Sequence, residues 1–147
     1  MIEYGVLYTG TIDGTLYAVN LEDRAILWSY HADDTIASLW GSPVLTTNSI
    51  FFGDADGNVY AVNKKDGTAI WPTPFAAGSS MISGGVAVDE KVIFATTGGK
   101  IFSIDENKEP KTLVTLDAAL YSSLGFEDEK IILAPASSDV LFEAIDA

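Results

Sequence analysis

At 147 residues, 48% of them hydrophobic, the chain is long enough for one domain with a sizeable core and too apolar for disorder. Eight Lys and Arg against 21 Asp and Glu leave a formal charge of -13, which argues against nucleic acid or an anionic membrane surface as partner, since both need basic patches. The absence of cysteine excludes disulfides and thiolate metal sites, the single histidine leaves little room for imidazole chemistry, and no apolar run approaches the roughly 18 residues of a membrane span.

The first ten residues, MIEYGVLYTG, have no basic segment of the kind an export signal carries. From Val6 the chain reads VLYTGTIDGTLYAVNLEDRAILW and reaches Trp28. The segment from Ile50 to Trp71, IFFGDADGNVYAVNKKDGTAIW, repeats it. Asp13-Gly14 returns as Asp56-Gly57, and Trp28 returns as Trp71, each at the same interval. A third copy runs from Val92 to Leu113, with Gly99 for Gly57, Phe102 for Tyr60 and Leu113 for Trp71. A fourth begins at Ile131. The units fall at about 1–38, 39–80, 81–119 and 120–147.

Within each unit, continuous apolar runs such as VLYTG, IFFGD and VIFAT predict strands buried on both faces. The Asp-Gly turns that follow need positive φ and predict tight antiparallel connections. LYAVN and VYAVN predict the next strand, Lys65-Asp66-Gly67 a further turn, and TAIW the start of the last strand. DEK at 89–91 and again at 128–130 predicts the hairpin between the first two strands of its unit. No segment sustains a helical period. The expected fold is all-β, and four strands per repeat of about 42 residues select a β-propeller of four-stranded antiparallel blades. About 14 strands make three and a half blades. The expectation is a partial ring, completed by self-association or by the remaining blades of a longer propeller.

The stretch SPVLTTNSIFFGDADGNVYAVNKKDGTAIW, from Ser42 to Trp71, resembles the PQQ-like, or quinoprotein-type, propeller repeats over its whole length. The family's docking pattern of Ala, Gly and Trp falls on Ala61, Gly67 and Trp71. The first unit keeps Ala18 and Trp28 but has Arg24 at the Gly position; the third, with Ser103, Glu109 and Leu113, has lost the pattern. The resemblance implies that Trp28, Trp71 and Gly67 dock one blade on the next. It also implies an extracytoplasmic setting, in the periplasm or at the cell surface. Quinone-dependent members hold PQQ and calcium, but no matching set of side chains can be placed here, so no cofactor, metal or catalytic residue is expected.

Other candidate features read more plainly. Asp54-Ala55-Asp56-Gly57-Asn58 has two carboxylates but not the remaining oxygen ligands of a calcium loop, so it reads as a turn. His31 and the acidic clusters, Asp33-Asp34 among them, read as exposed loops. The positions entering each opening strand vary within a retained scaffold: Trp40, Ile82 and Tyr121, then Ser42, Gly84 and Ser123. They read either as packing between blades or as a binding face near the channel mouth, with Trp40 and Tyr121 as contact residues. Three functions fit: a non-catalytic module for protein binding or assembly, a fragment of a quinone-dependent dehydrogenase, or a structural segment of a larger surface protein.

Overall fold

A computed structural model describes residues 1–31, 36–136 and the backbone of 143–146; Asp33, Asp34 and parts of the fourth unit lie outside it. All regular structure in the described residues is β. The first sheet runs β1 (Ile2–Glu3), β2 (Val6–Gly10), β3 (Leu16–Asn20) and β4 (Ile26–Tyr30), each antiparallel to the one before. The second repeats this order with β5 (Val44–Leu45), β6 (Ser49–Gly53), β7 (Asn58–Asn63) and β8 (Phe75–Ala76). The third holds β9 (Val86–Val88), β10 (Lys91–Ala95), β11 (Lys100–Ile104) and β12 (Lys111–Thr115). The fourth has β13 (Gly125–Glu127), β14 (Lys130–Leu133) and β15 (Glu143–Asp146).

The expected four-stranded blades form, with 15 strands described. One local expectation shifts. The strand predicted at TAIW is reduced to a single bridge between Val62 and Ala69, and regular pairing resumes only at Phe75. Pro72 and Pro74 explain this, since neither has an N–H to give to the ladder.

Period-two alternation stacks the sheets. In β6, Ile50 and Phe52 bury against the first sheet, while Phe51 faces the third. In β10, Val92 and Phe94 face the second sheet, while Ile93 and Ala95 face the fourth. Three apolar layers result, one at each seam. Each middle sheet is apolar on both faces, which is why its strands read as unbroken hydrophobic runs. The short leading strands β5 and β9 approach one another, which places them on the inner side of the arc.

The tight turns behave as their residues require. Gly14, Gly57 and Gly99 take φ of 82°, 85° and 83°. A Cβ on Gly57 would lie 2.6 Å from the Ser79 carbonyl oxygen, so the crossing loop that leads to the third sheet can lie directly on the turn.

Candidate functional site

One face of the arc carries the Asp-Gly turns and the loops that cross from sheet to sheet. Those loops are pinned to the turns: the amide of Ala55 donates to the Ser38 carbonyl at 3.0 Å, and Thr97 donates to Ser80 at 2.9 Å. At the inner ends of the loops, the segments that enter β5, β9 and β13 meet. A Cβ on Gly41 would lie 2.4 Å from the Ser83 carbonyl oxygen, so these two backbones touch. The amide of Gly84 donates to Ser123 Oγ at 3.3 Å, and the amide of Leu124 donates to the Gly84 carbonyl at 3.2 Å. A Cβ on Gly84 would lie 3.5 Å from Ser42 Cβ.

Ser42, Gly84 and Ser123 therefore form one small-residue step drawn from three successive sheets. Ser42 and Ser123 are exposed. Trp40 and Tyr121, two positions upstream of Ser42 and Ser123, are 63% and 60% exposed, whereas Ile82 is half-buried. Ser83, 7% exposed, has an Oγ with no hydrogen-bond partner among the described residues. The face thus offers two aromatic plates, hydroxyl groups and backbone, and none of its residues from 40–42, 82–84 or 121–123 is charged. No three His, Cys, Asp or Glu converge on a common point among the described residues. That chemistry suits contact with apolar and amide groups.

Asp54 is fully buried under this face. Its carboxylate accepts the amides of Asp56 and Asn58 at 3.0 and 2.8 Å, the Asn58 side-chain amide at 3.1 Å and the Tyr60 hydroxyl at 2.9 Å. It also takes the Ala37 amide of the crossing loop at 3.4 Å. Thr11 and Thr96 hold the equivalent place in their turns, accepting from Thr15 and Lys100. Asp54 is therefore a turn residue that has gained a second duty, tying a loop to a sheet. Burial, and then the bond to Asp54, raises the Tyr60 hydroxyl well above its ordinary range. His31 is exposed, with Nδ1 3.3 Å from Thr15 Oγ1 and from the Gly14 carbonyl.

On the opposite face, indoles bridge the seams. Trp28 packs on Gly67, where a Cβ would lie 2.6 Å from the ring, and its Nε1 donates to the Lys64 carbonyl at 3.2 Å. Trp71 meets Phe51 edge-on, with centroids 5.6 Å apart, and donates to the Glu106 carbonyl at 2.7 Å. Gly67 has φ of 73°; Arg24 adopts the same left-handed form at 62°, and in the third sheet Lys108, one residue before Glu109, does so at 63°. Lys64 reaches Glu3 at 2.8 Å across the first seam, and Thr47 donates to Glu90 at 2.7 Å across the second. Ser49 donates to the Glu106 carboxylate.

Residue order missed two of these features. Asp54 as a hub could have been suspected from an acid where the other turns have Thr. The orphan Ser83 hydroxyl could not, because only the fold decides which serine loses water.

Stacked four-stranded sheets with a repeated indole at the seams define a PQQ-like β-propeller. The chain belongs to the family described as outer membrane protein assembly factor BamB, whose profile matches residues 56–147. Among solved structures it is similar to BamB from Moraxella catarrhalis, at 17% identity and a TM-score of 0.77, over 99% of this chain and 43% of that one. It is similar to the computationally designed Ika8 protein at 16% identity and a TM-score of 0.80, covering 44% of that chain. It also matches the designed Ika4 protein at 14% identity and 0.80, covering 87%. The chain thus spans less than half the length of the BamB structure it matches. No curated protein matches it in sequence.

Proposed function

We propose that the chain is a non-catalytic propeller module for protein assembly, with its partner held on the inner loop face by Trp40 and Tyr121. The observation that carries this reading is that two exposed aromatics stand at equivalent positions of two repeat units, beside an uncharged step of Ser42, Gly84 and Ser123. Large aromatic side chains left in water contribute little to folding and much to association. Ile82, at the same position in the third unit, lies between them in sequence and widens the apolar surface. The family's description, an outer membrane protein assembly factor, supports an extracytoplasmic site of action. In this reading the arc is completed by a second copy or by further blades, and neither PQQ nor calcium is needed.

A photoreactive phenylalanine analogue at position 40 or 121, irradiated in living cells, tests this. Protein adducts are expected at both positions and not at Lys65, which sits in a turn on the other face. Absence of adducts at 40 and 121, or the same adducts at 65, would refute the reading. Quinone and calcium titration of the purified chain is expected to give no saturable heat.

A further inference from the structure

The turn from Asp54 to Gly57 stands between two crossing loops. On the side of the first sheet it meets residues 36–39: the amide of Ala55 donates to the Ser38 carbonyl at 3.0 Å, and the amide of Ala37 donates to the Asp54 carboxylate at 3.4 Å. On the side of the third sheet it meets residues 77–81. The amides of Ala77 and Met81 donate to the Gly57 and Asp54 carbonyls at 2.7 and 3.0 Å, and the Ser80 hydroxyl donates to the Ala55 carbonyl. The first loop leads into Trp40 and the second into Ile82. One turn therefore sets where two residues of the loop face stand relative to each other.

The two crossings share a backbone tie, since Thr97 donates to the Ser80 carbonyl as Ala55 does to Ser38, but their side-chain ties run in opposite directions. At the second crossing Ser79 reaches out from the loop, and its hydroxyl accepts the Gly98 amide of the turn at 3.0 Å. The turn residue there, Thr96, accepts the Lys100 amide of its own turn. At the first crossing Ala37 replaces Ser79 and has no hydroxyl to offer. Asp54 makes the bond from the turn instead. One carboxylate oxygen closes the turn through the Asp56 and Asn58 amides, and the other takes the Ala37 amide and the Tyr60 hydroxyl. In the third unit, where Thr96 has no second oxygen, Phe102 replaces Tyr60. Ala37, Asp54 and Tyr60 thus form one matched set, and Ser79, Thr96 and Phe102 another.

We propose that Asp54 is a positioning residue for the loop face: without touching the partner, its carboxylate fixes the crossing loop that delivers Trp40. The inference rests on the reading that Trp40 holds a partner. An indole at the end of a loop loses affinity when that loop must be ordered on binding, and a loop fixed beforehand avoids the cost. The effect is local to Trp40. Tyr121 is delivered by the loop that follows β12, and none of the Asp54 carboxylate's bonds among the described residues reaches it.

The test is Asp54→Thr/Tyr60→Phe, which gives this turn the residues of the third unit. Amide exchange at Ala55 is expected to speed up about tenfold or more while exchange at Thr97 holds. In fluorotryptophan-labelled protein the Trp40 line should sharpen and move toward the shift of free fluorotryptophan. Photoadducts at position 40 should fall about threefold or more, and those at position 121 should hold. Adding Ala37→Ser completes the third unit's set: the new hydroxyl can accept the Asp56 amide, and all three readouts should recover. A general loss of stability would be neither confined to one crossing nor reversed in this way. Asp54→Asn serves if the first variant does not fold, since it keeps an oxygen on the turn amides and sets an NH2 group against the Ala37 amide. Unchanged exchange at Ala55, equal acceleration at Thr97, undiminished adducts at position 40 or no recovery with Ala37→Ser would overturn the inference. An otherwise unsubstituted chain that gives no adducts at position 40 refutes instead the reading of the loop face, and exchange and the fluorine line then still decide whether Asp54 holds the loop.

Discussion

Replacing Trp71 with alanine tests the seam rule most directly. The indole is 6% exposed, meets Phe51 edge-on and donates to the Glu106 carbonyl. Burying a side chain of this size removes on the order of 200 Å² from water, about 5 kcal/mol at 25 cal/mol/Å². Some of that returns as the seam relaxes, and the stranded carbonyl adds about 1 kcal/mol. The expected loss is about 4 kcal/mol. Trp28 is only half-buried and its hydrogen bond is longer, 3.2 Å against 2.7 Å, so Trp28→Ala is expected to lose about 2–3 kcal/mol. Urea unfolding of both variants, followed by far-ultraviolet circular dichroism, gives the two values. A loss under 1 kcal/mol for Trp71→Ala, or a larger loss for Trp28→Ala, would refute the reasoning.

Gly67→Ala puts a Cβ 2.6 Å from the Trp28 ring at a φ of 73°, and should cost about 2 kcal/mol in urea unfolding while shifting tryptophan emission. Asp54→Ala leaves the Tyr60 hydroxyl and several amides without their acceptor, and a loss of about 3 kcal/mol is expected in the same assay. Burial raises both Tyr8 and Tyr60, aided by the Glu3 charge at Tyr8 and the Asp54 bond at Tyr60. Their folded values lie above the unfolded value near 10, so their contribution is intact below pH 10 and is lost as pH climbs beyond it. Stability measured from pH 9 to 11.5 should fall, and fall less in Tyr60→Phe; an equal fall would contradict the assignment.

The architecture was legible because the repeat is carried by residues with a physical duty at each position. Glycine recurs where φ must be positive, and tryptophan recurs where a seam must be spanned. Legibility failed where one element's neighbours decide the outcome. TAIW has strand composition, but Pro72 and Pro74 withdraw the donors that would extend it. Lys108, not Glu109, takes the left-handed conformation, because spacing alone cannot place a turn within one residue. At the loop face, the sequence marked Trp40, Ile82, Tyr121, Ser42 and Ser123 as one group. Their sharing of one region depends on crossing loops being tied to turns by backbone bonds that no side chain announces.

Each indole reaches only as far as the adjacent sheet's turn, so the instruction for assembly is written pair by pair. Such an instruction sets pitch and curvature without setting a tally. Duplication or loss of one unit changes the length of the array while leaving every remaining junction intact, and evolution can therefore alter circumference and surface separately.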